Sequence, residues 1–242
     1  MQSIPDATFG SHSLRILLAI ATLVASAWFA YCIPWRAAVF GVLPKLDLSQ
    51  GDPWFVDWRL SALKANANLC QHTLLHPFID ALPITDNPLH DGCGWANSVR
   101  MSRAGEIRAS FDKITCEAAV ALAFWLNHEV QPAAQEYLGQ HIATVQSLGS
   151  YSCRNIVGAR LRKTSRSEHA VANAIDIAGF TMADGSVLSV RSQWRTDSPE
   201  ARFLRSIRDR ACRYFHVVLS PDHNQAHQDH LHLERGRLRR CT

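Results

Sequence analysis

Histidines are concentrated near the C-terminal end of this 242-residue chain, where five of the twelve fall within residues 216–232. Alternate side chains of a β-strand share a face, so His230 and His232 are expected to point the same way. Upstream, His169 and Asp176 lie seven positions apart. Two imidazoles and one carboxylate, with a position left for water, are typical of a catalytic zinc site. Each histidine alone is more commonly a core or surface residue, and only their combination indicates hydrolytic metal chemistry.

The elements that must position these residues are predicted to be both helices and strands. A run rich in alanine and leucine predicts a buried helix over residues 114–130, and Pro132 marks the start of a second one. The segment Ser198–Glu200 combines a capping residue, a first-turn proline and an early acid, which predicts a third helix. Strands are predicted at residues 174–178, 187–190 and 217–219. Early helices and late strands favour an α+β fold, an antiparallel sheet with flanking helices.

An uninterrupted apolar run covers residues 16–33, close to the ~20 residues that cross a bilayer as a helix. We expect a single transmembrane anchor in the inner membrane, with the C-terminal domain in the periplasm. Two alternatives stay open: a signal peptide cleaved after the small residues Ala25–Ala27, and a buried core helix. The predicted division of the chain is a tail (1–15), the anchor (16–33), a tether (34–66) and one domain (67–242).

Seven cysteines are present, one in the apolar run and six after it, and none forms a Cys-x-x-Cys pair. An even number of spaced cysteines behind an export segment is typical of disulfides formed in an oxidising compartment. Reduced, buried cysteines in a cytosolic protein are the alternative. Among the many possible pairings we expect Cys153–Cys212, which would join the two segments that supply candidate ligands, and Cys93–Cys116, which would brace the helical part.

Charge is distributed unevenly along the chain. Residues 151–242 contain 16 Lys and Arg against 9 Asp and Glu, a balance of +7, whereas residues 1–150 contain 9 against 12, a balance of −3. A basic half favours an anionic partner, such as nucleic acid, a membrane surface or an acidic wall polymer. Nucleic acid is not expected, because no basic run is interleaved with aromatic residues. A solvated tail is predicted for Arg235, Arg237, Arg239 and Arg240.

The same histidine-bearing segments make the chain similar to a known family. It resembles the bacterial extensin-like C-terminal family over roughly residues 67–241. The motifs that carry the resemblance are SYSCR (150–154), SEHAVANAIDIAGF (167–180), ADG (183–185), ACRYF (211–215) and DHLHLE (229–234). The chain is also distantly similar to the zinc D-Ala-D-Ala peptidases of the lysostaphin, D-Ala-D-Ala peptidase and hedgehog-like fold group. That similarity implies a hedgehog or D,D-peptidase-like fold and zinc as the cofactor.

The resemblance also implies a role for each candidate residue. The implied zinc ligands are His169, Asp176 and His232. Asp229 corresponds to the carboxylate that acts as general base. His230, and with it His227, corresponds to the histidines that hydrogen-bond the oxyanion. Arg154, close to Tyr151, is our candidate for binding a substrate carboxylate, because a guanidinium suits bidentate carboxylate recognition.

Three residues of the ligand loop complete the pattern. Ser167 and Asn173 are expected to fix the loop that carries the first ligand. Ala172 departs from the peptidase pattern, since those enzymes usually have glycine three positions after this ligand. The sequence thus predicts a membrane-anchored zinc peptidase acting on peptidoglycan stem peptides, as a carboxypeptidase or an endopeptidase. Two other functions stay open: a non-catalytic wall-binding or scaffold protein that retains the metal-site fold, and a metal-dependent nuclease.

Overall fold

The computed structural model describes residues 9–32, 46–51, 55–157 and 164–242. The chain divides into two compact units, Met1–Pro44 and Lys45–Thr242. In the first unit, helix α1 spans Phe9–Cys32, and its side chains are described from residue 14 to residue 28, where they are exposed. Across the described ranges, no helix combines the length and apolarity needed to cross a membrane. The anchor at 16–33 stays a prediction, and its last residue lies outside the described residues.

A mostly antiparallel sheet forms the centre of the second unit. The described strands are β1 (Ile79–Pro83), β2 (Asn87–His90), β3 (Cys93–Trp95), β4 (Ser98–Ala104), β5 (Ile107–Thr115), β6 (Ile142–Gly149), β7 (Ala174–Met182), β8 (Val187–Ser189), β9 (Val217–Leu219), β10 (Leu231–Glu234) and β11 (Arg240–Cys241). Nine of them make one sheet in the order β1-β4-β5-β6-β7-β10-β9-β11, with β8 paired to β7, while β2 and β3 form a separate hairpin. Only the β5–β6 and β9–β11 pairs are parallel among these strands.

Helices flank the sheet. Those of the second unit are α2 (Val56–Ala65), α3 (Ala67–Leu74), α4 (Cys116–Trp125), α5 (Gln131–Leu138), α6 (Val190–Gln193) and α7 (Pro199–Ala211). Every residue of α4 is buried, which makes it the central core helix. Helix α7 begins where the Ser198 hydroxyl accepts the Ala201 N–H at 3.2 Å, and it packs on α4, since Trp125 Nε1 donates to the Ile207 carbonyl at 2.9 Å.

These elements confirm an α+β fold with a mostly antiparallel sheet and flanking helices. The helix predicted at 114–130 begins at Cys116, because strand β5 continues to Thr115, and its last turn, Leu126–Val130, is a π-helix. The three predicted strands are observed as β7, β8 and β9, with β7 extended to Met182.

A buried guanidinium links the chain after β10 to distant helices. Arg235 is only 1% exposed, so its predicted place in a solvated tail is wrong. Its guanidinium donates to Glu117 Oε1 and to Asp57 Oδ1, each at 2.8 Å. A buried cation needs such partners, and here they come from residues 118 and 178 positions earlier in the chain, which local sequence does not reveal.

Helix α2 falls within the segment predicted to be a tether, residues 34–66. Its Leu60 and Leu63 are fully buried in the hydrophobic core. This part of the predicted tether therefore packs into the folded unit, whereas residues 34–45 lie outside the described residues.

Three disulfides connect six cysteines of the second unit: Cys70–Cys116, Cys93–Cys153 and Cys212–Cys241, with Cα–Cα distances of 6.1, 5.5 and 6.0 Å. Disulfide bonding is confirmed, but the predicted pairs Cys153–Cys212 and Cys93–Cys116 are wrong. Backbone pairing of β7 with β10 already joins the two segments that supply candidate ligands. The disulfides instead fasten peripheral segments to the core, including the β2–β3 hairpin and the terminal strand β11.

Candidate metal centre

The candidate ligands meet where strands β7 and β10 pair. His232 lies directly opposite Asp176 in this antiparallel register, so the two side chains share a face of the sheet. His169 lies in a 3₁₀ turn, Glu168–Val171, that leads into β7. The Ser167 hydroxyl accepts the His169 N–H at 3.3 Å and fixes the start of this turn, as expected for Ser167. Two strands and one turn thus direct three side chains to one point.

The three side chains are close enough to hold one metal ion. His169 Nε2 lies 3.1 Å from Asp176 Oδ2 and 3.2 Å from His232 Nδ1, and His232 Nδ1 lies 2.8 Å from Asp176 Oδ1. One potential ligand atom from each residue lies within 4.8 Å of the other two. Both histidines are buried and Asp176 is partly exposed. This is a possible metal-binding group of two imidazoles and one carboxylate.

Each of the two histidines is held from behind by an acceptor. His169 Nδ1 donates to the Ser150 carbonyl at 3.2 Å, so its Nε2 faces the group. His232 Nε2 donates to Glu234 Oε2 at 3.0 Å, which leaves Nδ1 to face it. Metal-binding histidines are characteristically oriented in this way, because the outer acceptor fixes the tautomer and raises the basicity of the ligating nitrogen.

The close packing of these groups shifts their pKa values in the metal-free protein. Burial raises the pKa of Asp176, but hydrogen bonds from His169 and His232 outweigh burial and hold that pKa well below its usual range. Burial lowers the pKa of His232, yet its hydrogen bonds to Asp176 and Glu234 outweigh burial and raise the pKa to about 9. At neutral pH the His232 ring is therefore protonated on both nitrogens, and a metal ion would displace the proton on Nδ1.

His230 stands beside this group with Asp229 behind it. His230 Nδ1 donates to Asp229 Oδ1 at 2.8 Å, and Nε2 lies 3.5 Å from Asp176 Oδ1. The hydrogen bond commits the Nδ1 proton to Asp229, so Nε2 is the ring nitrogen that faces the ligands. Asp229 lies outside the three-residue group, and its carboxylate acts on His230.

His227 is oriented in the same manner. Its Nδ1 donates to Asn224 Oδ1 at 2.8 Å, and the same oxygen accepts the Ala226 N–H at 2.9 Å. The ring centroid lies 5.3 Å from that of His230 and 5.7 Å from that of His232. Burial, followed by the charges of the neighbouring histidines, lowers the pKa of His227 to about 4. At neutral pH this residue is uncharged, with an unprotonated Nε2.

A cavity of about 770 Å³ opens beside the ligands, and its wall includes His227, His230 and His232. The predicted carboxylate-binding residue Arg154 also lines it, with Nη2 3.9 Å from Asp176 Oδ2. Tyr151 does not share this cavity. It lines a separate one of about 330 Å³, where its ring lies 5.0 Å from that of Trp95. The predicted pairing of Arg154 with Tyr151 is thus divided between two cavities.

The ligand loop has the backbone conformation that a glycine would favour. Ala172 has φ of 55°, in the left-handed region, and is fully buried. The next residue, Asn173, accepts from the Thr115 hydroxyl at 2.8 Å and donates to Glu168 Oε2 at 2.8 Å. Ala172 therefore occupies a conformation that glycine adopts at lower cost, and Asn173 fixes the loop as expected.

Sequence reasoning missed three acceptors that orient the histidines: Ser150, Asn224 and Glu234. Glu234 could have been predicted from the sequence, because it follows His232 by two positions in a strand and so shares its face. Asn224 accepts the N–H of Ala226, two residues on, and asparagine is a residue type that commonly forms such local turns. Ser150 acts through its backbone carbonyl, which has no signature in the sequence.

Comparison with known proteins assigns the chain to a family. No curated protein and no solved structure matches this chain. The family model described as "Extensin-like protein C-terminus" matches residues 68–242, a span that includes all three candidate ligands and the six disulfide-bonded cysteines. The chain therefore belongs to the family of the extensin-like protein C-terminus.

Proposed function

We propose that this protein is a zinc-dependent peptidase that hydrolyses peptide bonds in peptidoglycan. The observation that carries the proposal is the convergence of His169 Nε2, His232 Nδ1 and the Asp176 carboxylate beside a cavity. Two imidazoles and one carboxylate fit zinc with a coordination position left for water. Bound there, zinc would supply a Lewis acid that polarises the scissile carbonyl and lowers the pKa of water towards ~7. The hedgehog or D,D-peptidase-like fold is part of this proposal.

His230 is the residue to which we assign proton transfer. Its Nδ1 proton is committed to Asp229, so Nε2 is the atom that accepts a proton from the attacking water and returns it to the leaving amine. Asp229 holds the tautomer and stabilises the imidazolium, as in other Asp–His pairs. The peptidase resemblance gives the base role to Asp229, but its hydrogen bond to His230 favours an action through the histidine. His227, neutral and unprotonated at Nε2, can accept a hydrogen bond from a substrate N–H.

Arg154 and the disulfides support the substrate and the compartment of this proposal. The partly exposed guanidinium of Arg154 lines the cavity at its ligand end and is available to bind a peptide carboxylate. The disulfides favour an oxidising compartment. With residues 16–33 as an inner-membrane anchor, the folded unit would face the periplasm, where peptidoglycan stem peptides are its partners and nucleic acid is not.

Isolated sacculi provide the test. We expect the full-length, zinc-loaded protein to release peptide products that mass spectrometry assigns to cleavage within stem peptides. Chelation should abolish the release and added zinc should restore it, whereas His72→Gln, which changes an exposed histidine of α3, should leave it unchanged. A zinc-loaded protein that binds sacculi but releases no peptide would support the non-catalytic wall-binding function instead.

A further inference from the structure

One face of the sheet continues from the candidate ligands to the terminal strand. His232 is paired with Leu219, and Glu234 with Val217, across β10 and β9. Val217 is paired in turn with Arg240 across β9 and β11. Directly paired residues place their side chains on the same face. All five of these residues line the 770 Å³ cavity, so this face is its floor.

The floor is apolar in the middle and cationic at its far edge. Two strand spacings of about 4.8 Å separate β10 from β11, so the backbones of Glu234 and Arg240 stand about 10 Å apart across the sheet, and His232 lies two residues farther along β10. Val217 and Leu219 occupy the interval, and Leu238 adds an apolar side chain to the wall. A ligand lying from the metal group to Arg240 would therefore cross an aliphatic surface before it meets a positive charge.

Of the three arginines that line the cavity, Arg154 lies near Asp176 and Arg239 pairs with Asp57, whereas Arg240 has no carboxylate partner among the described residues. The neighbouring Arg239 donates to Asp57, and Arg235 is bound by Glu117 and Asp57. Over the described part of the chain, no acidic side chain forms an ion pair with Arg240. A guanidinium without an ion pair can donate two hydrogen bonds to a ligand carboxylate without first losing a carboxylate partner within the protein.

The backbone that carries Arg240 is fixed. Its N–H donates to the His216 carbonyl at 2.8 Å, and the Thr242 N–H donates to the Val218 carbonyl at 3.0 Å. The adjacent Cys241 is disulfide-bonded to Cys212 at the end of α7. Strand pairing and a covalent link therefore hold the backbone of Arg240 at the edge of the cavity.

We propose that Arg240 forms a subsite for a carboxylate carried on an aliphatic side chain of a peptide whose scissile bond lies at the metal group. That the bound peptide is a substrate rests on the proposed function, whereas peptide binding at Arg240 does not depend on peptidase activity. Val217 and Leu219 would contact the methylene groups, and the guanidinium would bind the carboxylate. The interval from the metal group to the Arg240 backbone exceeds ~10 Å, and the side chain of Arg240 covers part of it, so a dicarboxylic amino acid with about four or five side-chain carbons fits better than aspartate.

The test compares two synthetic peptides that differ in one group. Both contain 2-aminopimelic acid, one with the free side-chain carboxylate and one with its carboxamide. Binding is measured by calorimetry on the full-length, zinc-loaded His230→Gln protein, so that turnover does not consume the ligand. We expect the acid to bind about 10-fold more tightly than the amide.

Arg240→Gln, added to this protein, should erase the preference and leave the affinity for the amide unchanged, and Arg240→Lys should keep part of it. The control is Arg237→Gln, an exposed arginine of the same segment that does not line the cavity, which should retain the full preference. Equal binding of acid and amide, no measurable binding of either, or a preference that survives Arg240→Gln would overturn the proposal. Hydrolysis of the same peptides by the unmodified protein is scored separately: an acid preference in binding without hydrolysis contradicts the peptidase and supports the subsite.

Discussion

Replacing Glu234 by glutamine measures what the carboxylate behind His232 contributes to metal binding. Glu234 Oε2 accepts the His232 Nε2 proton at 3.0 Å, and its side chain is only 14% exposed, so little solvent screens the charge. That charge raises the basicity of Nδ1, the nitrogen that would bind zinc. Loss of such a partner typically weakens metal affinity by about 10- to 100-fold. Because the amide oxygen of glutamine still accepts the hydrogen bond, we expect about 10-fold, or about 1.4 kcal/mol.

The proton on His232 opposes this effect at neutral pH. With a pKa of about 9 in the metal-free protein, His232 must lose its proton before zinc binds at pH 7, which costs about 2.7 kcal/mol at about 1.36 kcal/mol per pKa unit. Removing the charge of Glu234 lowers that pKa and reduces the cost, so the two effects partly cancel at pH 7. At pH 9 about half of the wild-type His232 is already deprotonated, and the 10-fold loss should be visible.

The assay is competition for zinc between the full-length protein and a chromogenic chelator at pH 9. Glu168→Gln is the matched control, because it makes the same change in the ligand loop but its carboxylate accepts from Asn173 and not from a ligand. We expect Glu168→Gln to retain wild-type zinc affinity. Equal affinity in wild type and Glu234→Gln, or an equal loss in the Glu168→Gln control, would refute this reasoning.

Two further predictions concern stability. Ala172→Gly should change the free energy of unfolding, measured by chemical denaturation, by less than about 0.5 kcal/mol. Relief of the left-handed backbone, about 1–2 kcal/mol, offsets the loss of a buried methyl group and the greater flexibility of the unfolded chain. The control Ala170→Gly, equally buried but without positive φ, should lose about 1–2 kcal/mol, and equal losses in the two variants would contradict the argument. Burial raises the pKa of Asp57, but hydrogen bonds from His216, Arg239 and Arg235 outweigh burial and hold that pKa well below its usual range. The ionised carboxylate therefore stabilises the fold above the unfolded-chain pKa of about 3.9, and this contribution is lost as pH falls through the folded pKa. The difference in unfolding free energy between wild type and Asp57→Asn should narrow progressively below about pH 4.

The parts of the site that sequence predicted correctly depend on short-range patterns. The choice of His232 came from the family resemblance, and its position opposite Asp176 depends on the pairing of β7 with β10. For His169 and Asp176, which bracket one turn and the start of one strand, residue spacing was sufficient to bring them close together. The same holds for helix α7, whose start at Ser198 and Pro199 is a local capping signal. Local signals of this kind predict structure reliably because few tertiary contacts override them.

The parts that could not be predicted depend on which distant segments become neighbours. The buried position of Arg235 requires Glu117 and Asp57, and neither is near it in the sequence. The partner of Cys212 is Cys241, which lies in β11, a strand that pairs in parallel with β9. Because β11 has only two residues, the sequence shows no recognisable strand pattern there. The contact of Asp229 with His230 depends on side-chain orientations that spacing does not specify.

The most direct test of the metal site and its use is zinc content measured beside muropeptide turnover for the full-length wild type, His232→Ala and His230→Gln. Wild type should hold one zinc ion per chain and release peptides. His232→Ala removes one of three protein ligands, so both zinc and turnover should fall sharply. His230→Gln leaves all three ligands in place, so zinc should remain while turnover falls by about 10²–10⁴-fold, as expected for a lost proton carrier. Retention of zinc by His232→Ala, or full turnover by His230→Gln, would contradict this account.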